Sequence, residues 1–189
     1  MANLHFHYGT MGVSKSAALI TDAHNFRQNS IGVECIKPVI KGIPNDKKIV
    51  SRLGIEMPAL SLANLDEYSP QSNTKVILVN EAHFFAPSDI DHLVHIADNF
   101  EILVMCYGIM VDSNGRLFPG AGRLVEVGAK LRPMESTCQI KGCMRKADHH
   151  LRYDENGKVV VDGTQLFLGN DHYKSVCRRH FNRYYKKPK

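Results

Sequence analysis

Nowhere in the 189 residues does an apolar run approach the roughly 20 positions needed to cross a bilayer. The opening MANLHFHYG lacks a basic stretch followed by an apolar one, so it does not read as a secretory signal. Both absences point to a cytosolic protein, in a virus one made in the host cytosol. No internal repeat or low-complexity segment interrupts the chain. Five cysteines in a cytosolic chain argue against a disulfide framework. Cys35 and Cys106 sit inside apolar runs and read as buried, inert thiols. Acid is missing from the last thirteen residues, CRRHFNRYYKKPK, which carry six Lys or Arg. The preceding residues hold 18 basic and 19 acidic groups, so a nearly neutral body ends in a basic tail. The tail's Lys and Arg would neutralise the phosphates of a nucleic acid, and Tyr184 and Tyr185 would stack on its bases. Its plainer reading is a solvated terminus.

Enough apolar residue is present for a packed core, in one domain with at most a small appendage. LHFHYG alternates and then breaks at Gly9, which predicts a short strand. SKSAALITDAHNFRQ has roughly helical spacing. SIGVECIKP predicts a second strand, and IKGIPNDKK a loop. KVILVN is apolar on both faces, as strands of parallel sheets are. Pro87, Ser88 and Asp89 open a helix, EILVMCYGI is a fourth strand, and GRLVEVGAKL is expected to be another helix. Strands alternating with helices imply an α/β domain on a parallel central sheet. The pattern changes near Pro133. Beyond it, Asn156-Gly157 between LRYDE and KVVVD signals a hairpin. The expected division is 1–134 for the α/β domain, 135–182 for a small β lobe, and 183–189 for the tail.

Three motifs carry chemistry. GTMGVSKS, Gly9 to Ser16, lies between a strand and a helix. A phosphate loop reads G-x-x-x-x-G-K-[ST], with backbone N–H groups, Lys and a metal-binding hydroxyl around the phosphates. Gly9, Lys15 and Ser16 fit it, but Ser14 stands where the second glycine belongs. Next, VILVNEAHFF ends an apolar strand on Asn80 and Glu81. A carboxylate there suits a base that takes a proton during phosphoryl transfer. It equally suits a solvated acid at a helix entrance. Lastly, Cys138-x4-Cys143 and Cys177-x2-His180 form two pairs of soft ligands, which suit tetrahedral Zn²⁺. A staple of that kind is what a small lobe needs. His149 and His150 are alternative ligands.

In this order, the motifs resemble the type II thymidine kinases, especially their phage and bacterial branch. YGTMGVSKS is similar to that family's phosphate loop and VNEAHFF to its D-E-x-Q-F strand end. CYGIMVDSNGRLFPG is similar to its Y-G-L-x-T-D-F-x-G-x-L-F segment, and CMRKA, LRY and LGNDHYKSVCRRH to its zinc lobe and substrate-covering loop. The resemblance implies a RecA-like P-loop domain with a zinc lobe, a homotetramer, and transfer of the ATP γ-phosphate to the 5′-hydroxyl of thymidine. It places Gly9, Gly12, Lys15, Ser16, Asn80 and His83 around ATP and Mg²⁺, with Glu81 as the general base. Met11, Phe84, Ile109 and Phe118 would line the base pocket. Tyr173 would meet the nucleoside, and backbone near Phe167 and Gly169 would read the thymine edge. Departures gather at the same site: Ser14 for Gly, Asn80 for Asp, His83 for Gln, Ser113 for a stacking Phe, and Lys41-Gly42-Ile43 in place of a D-T-R segment. They set a second reading beside the first, a homologue that binds nucleotide or nucleoside without turning it over.

Overall fold

The computed structural model describes residues 3–161 and 172–185. The chain order is β1 (Leu4–Tyr8), α1 (Lys15–Gln28), β2 (Gly32–Pro38), β3 (Lys48–Val50), β4 (Glu56–Pro58), β5 (Leu60–Leu62) and β6 (Thr74–Val79), then α2 (Pro87–Asn99), β7 (Leu103–Gly108), α3 (Pro119–Glu126) and β8 (Lys130–Pro133). Six strands form one sheet in the order β5-β2-β6-β7-β1-β8. Every pairing in it is parallel. The expected α/β domain on a parallel sheet is therefore found.

Parallel strands covered on both faces must be apolar on both faces. KVILVN meets that demand by splitting its side chains. Val76 and Leu78 join Leu19 and Ala23 of α1, while Ile77 and Val79 join Ile90, Leu93 and Ile96 of α2 and Leu124 of α3. At the start of α2, the buried Asp89 accepts hydrogen bonds from Ala86 N (2.9 Å) and Leu65 N (2.7 Å), which ties the helix entrance to the preceding loop.

GRLVEVGAKL is not one helix. Helix α3 begins earlier, at Pro119, and stops at Glu126. Gly128 follows at φ +75°, a left-handed turn that ends a helix without a Cβ penalty. Residues 130–133 then become β8, parallel to β1 at the sheet edge. Lys130, Arg132 and Pro133 are residues that discourage a further strand from pairing there.

Beyond this the lobe comprises β9 (Ser136–Thr137), β10 (Lys146–Ala147), β11 (His149–Tyr153), β12 (Val159–Val160), β13 (His172–Val176) and α4 (Arg178–Tyr184). The Asn156-Gly157 hairpin is present, pairing Tyr153 with Val159. The Asp154 carboxylate fixes its turn by accepting from Asn156 N and Lys158 N. Among the described residues, the lobe's buried apolar cluster is Cys138, Leu151, Val176, Cys177 and Phe181. Helix α4 continues past residue 182, and Tyr185 stacks on Phe181 (4.7 Å) and donates to Val161 O (2.7 Å). One of the tail's two tyrosines is thus engaged by the lobe. No helix among the described residues is long and apolar enough to cross a membrane.

Candidate active site

The loop after β1 carries the first motif. Met11, Gly12, Ser14, Lys15 and Ser16 line one cleft, together with Val50, Ser51, Arg52, Leu53, Glu81 and Ile109. Gly12 has φ +82°, which an L side chain rarely adopts. Ser14 has φ +60° and ψ +33°, so the serine occupies the left-handed conformation in which glycine is at ease. Its hydroxyl makes no cap bond to α1. The first turn of α1 carries no acid, which leaves its N-terminal dipole open to an anion. Left-handed geometry costs a non-glycine residue about 1–2 kcal/mol. Part of that is offset because glycine gains freedom when unfolded. Ser14→Gly is therefore expected to stabilise the fold by roughly 0.5–1 kcal/mol. Urea unfolding checks this, and an unchanged or lower midpoint would refute it.

Lys15 is buried, and its ammonium donates to Thr10 O (2.8 Å) and Gly9 O (3.2 Å). Burial lowers its pKa, Glu81 raises it, and Arg52 lowers it again. Ser16 Oγ donates to Asn80 Oδ1 at 3.1 Å, joining the loop hydroxyl to the end of β6. Strand β7 lies between β6 and β1, so this bond spans a strand's width at the carboxyl edge of the sheet. Hydroxyl and amide oxygens are hard donors that fit Mg²⁺, but without the charge a carboxylate would add.

Glu81 follows at φ +52°, a second non-glycine residue in left-handed geometry. Its carboxylate is a third exposed. Desolvation raises its pKa above the usual carboxylate range, while Lys15 and then Arg52 pull it back. His83 Nδ1 lies 3.6 Å from Glu81 Oε2, yet this is no ion pair. Nδ1 accepts the Ile109 N–H (3.2 Å), and burial holds the His83 pKa well below its ordinary value. The ring is neutral, wedged against Phe84 (4.0 Å) and edge-on to Phe118 (4.6 Å).

A second cavity, of about 370 Å³, is also lined by Glu81. Met11, Phe84, Ile109, Phe118 and Tyr173 all line it, as do Asn80, His83 and Ser113. Phe167 and Gly169 lie outside the described residues. Ile40 and Ile43 give the same cavity an apolar wall where a D-T-R segment would be charged. Glu81, Met11, Val50 and Ile109 border both cavities.

The metal-ligand motif closes up as well. Cys138, Cys143, Cys177 and His180 bring their ligand atoms within 4.8 Å of one another. His180 Nδ1 is 3.3 Å from Cys138 Sγ and 3.5 Å from Cys177 Sγ. Tetrahedral Zn²⁺ places sulfur and nitrogen ligands about 3.6 Å apart, so this donor set fits zinc. His149 and His150 are not alternative ligands. His149 pairs with Asp148 (2.6 Å) and packs on Phe181. His150 Nε2 accepts the Met11 N–H at 2.7 Å. Burial and the nearby Lys15 push the His150 pKa down to about 4, which keeps that nitrogen an acceptor near neutral pH. Ser175 Oγ donates to Met11 O (2.8 Å), and Thr10 Oγ1 and Ser136 Oγ share a hydrogen bond (2.8 Å). Three lobe residues thus grip the phosphate loop. Nothing in local spacing signals this grip, because each bond joins residues more than 120 positions apart.

A glycine-containing loop ending in Lys15-Ser16 after the first strand of a parallel sheet, with a carboxylate at the end of the next strand but one, is the arrangement of the P-loop fold. The family model described as Thymidine kinase matches residues 2–181. A thymidine kinase of Idiomarina loihiensis is 35% identical over 189 residues, covering 96% of each chain. That of Enterobacteria phage T4 is 32% identical over 99% of each, and that of Ruegeria pomeroyi 31% identical over 96% of this chain and 94% of its own. The chain belongs to the thymidine kinase family.

Proposed function

We propose that the protein transfers the γ-phosphoryl group of ATP to the 5′-hydroxyl of thymidine or a close deoxynucleoside. One observation carries this reading. Glu81 borders both the phosphate cleft and the larger cavity, so its carboxylate stands between a donor in one and an acceptor in the other. Met11, Phe84, Ile109, Phe118 and Tyr173 hold the base, with the neutral His83 as part of the wall. Gly9 and Gly12 shape the loop whose amides, with Lys15, take the ATP phosphates. Lys15 has to exchange the carbonyls of Gly9 and Thr10 for phosphate oxygens.

Glu81 then accepts the 5′-hydroxyl proton as O5′ bonds to the γ-phosphorus. The γ-phosphorus bond to the bridging oxygen breaks, and its electron pair leaves on ADP. Ser16 and Asn80 would hold Mg²⁺, which neutralises charge on the phosphates when bound. Cys138, Cys143, Cys177 and His180 would hold a structural Zn²⁺ in a lobe spanning 135–182, attached to a phosphate-binding domain of 1–134.

The test is incubation of the purified protein with labelled ATP, Mg²⁺ and a panel of deoxynucleosides. A labelled nucleoside 5′-monophosphate is the expected product, with thymidine among the best acceptors. Absence of product at high protein concentration, with zinc content verified, would overturn the reading. Saturable nucleoside binding in that sample would identify a homologue that binds without turnover.

A further inference from the structure

Four cations line the two cavities: Lys15, Arg52, Lys37 and Lys48. Three are already engaged. Lys15 is held by two carbonyls of its own loop. Lys37 pairs with Asp46 at 2.5 Å and also donates to Lys48 O. Lys48 pairs with Glu56 at 2.7 Å. Arg52 differs, since among the described residues it makes neither an ion pair nor a hydrogen bond through its side chain.

The backbone that carries it is nevertheless fixed. Arg52 sits at the tip of the β3–β4 hairpin, whose strands pair from Lys48↔Pro58 to Val50↔Glu56. The tip is closed by Ser51 N to Ile55 O (2.9 Å), Gly54 N to Ser51 O (3.1 Å) and Leu53 N to Ser51 Oγ (3.2 Å). Ile49 and Met57 anchor the hairpin in the core beneath α1, 1% and 7% exposed. From there the side chain reaches the phosphate loop. One terminal guanidinium nitrogen lies 3.7 Å from where a Cβ on Gly12 would stand. Arg52 borders the cleft with Ser14, Lys15, Ser16 and Glu81.

Asn80 contributes no charge, and Ile43 gives an apolar wall within the segment that replaces D-T-R. A phosphoryl group in transfer spreads negative charge over its equatorial oxygens, and a guanidinium fork matches those oxygens in shape. We propose that Arg52 contacts the phosphoryl group in transfer and is the side-chain cation that stabilises its developing charge. This rests on the phosphotransfer reading above. Arg52 neither gains nor loses a proton. It holds the γ-phosphate oxygens while Glu81 takes the 5′-hydroxyl proton and ADP leaves with the bridging electron pair.

The test compares wild type with Arg52→Gln, Arg52→Lys and Arg52→Ala, measuring kcat, KM for thymidine and thymidine Kd. Arg52→Gln is expected to lower kcat about a hundredfold or more while thymidine Kd stays within about threefold. Lysine should restore only part, because it lacks the fork. Added guanidinium at millimolar concentration, below its denaturing range, should raise the rate of Arg52→Ala but not that of wild type. A kcat within threefold of wild type for Arg52→Gln overturns the proposal. So does a loss of kcat that comes with weaker thymidine binding and no guanidinium rescue, which marks a structural role. A wild type without turnover overturns the phosphotransfer reading and this proposal together. An active wild type beside an active Arg52→Gln overturns this proposal alone.

Discussion

Glu81→Gln is expected to lower kcat for thymidine phosphorylation by about 10²–10⁴-fold. ATP and thymidine affinities should remain within a few-fold of wild type, because the amide keeps the shape of the carboxylate at the junction of the two cavities. The pH profile sharpens the test. A base works only when deprotonated, so the rate falls as pH drops through the Glu81 pKa. Desolvation lifts that pKa above the ordinary carboxylate range, against the pull of Lys15 and Arg52. The acid limb of kcat/KM should therefore lie at higher pH than for an exposed glutamate, and Glu81→Gln should lose the limb with the rate. Backbone strain provides an independent check. Glu81 sits at φ +52°. Such strain at a working residue is retained for its geometry and costs stability. Glu81→Gly should unfold at higher urea than wild type while remaining inactive. A Glu81→Gln protein with near-wild-type kcat would remove Glu81 from the reaction.

The second large effect concerns the cysteine cluster. Chelation of zinc, or Cys177→Ser, is expected to unfold the lobe and weaken ATP binding together. The five buried apolar residues described in the lobe are too few to hold it alone, and a structural zinc contributes folding free energy outright when bound. The phosphate loop is where the damage should spread. Ser136, His150 and Ser175 hold Thr10 and Met11 from three different strands of the lobe. Each such bond contributes roughly 0.5–1.5 kcal/mol, so losing them should weaken ATP about tenfold or more. Titration calorimetry and circular dichroism on the same chelated sample measure both effects. Lobe unfolding with unchanged ATP affinity would show that the grip is dispensable.

The parallel sheet was legible because its strands must be apolar on both faces, and KVILVN and EILVMCYGI write that demand directly into the sequence. The clustering of Cys138, Cys143, Cys177 and His180 was legible because paired soft ligands at short spacing have few other uses. GRLVEVGAKL reads as one helix because its apolar residues keep helical spacing, but only its first five residues lie in α3, and the left-handed turn at Gly128 decides where the chain leaves it. His150 reads as an alternative ligand because it lies in sequence between the two ligand pairs. Its partner, Met11 N, is a backbone group that no motif marks. No local motif marks Arg52, since its relation to Gly12 depends on how a five-residue hairpin tip folds.

Ser14 holds a glycine's conformation without being glycine. The backbone at this position makes the left-handed turn, although the side chain does not favour it. An engineer who wants tighter nucleotide handling need not rebuild the segment, since a single substitution returns the residue to a conformation already in place. The phosphate loop keeps its shape through its neighbours, and the identity of residue 14 can vary within that shape.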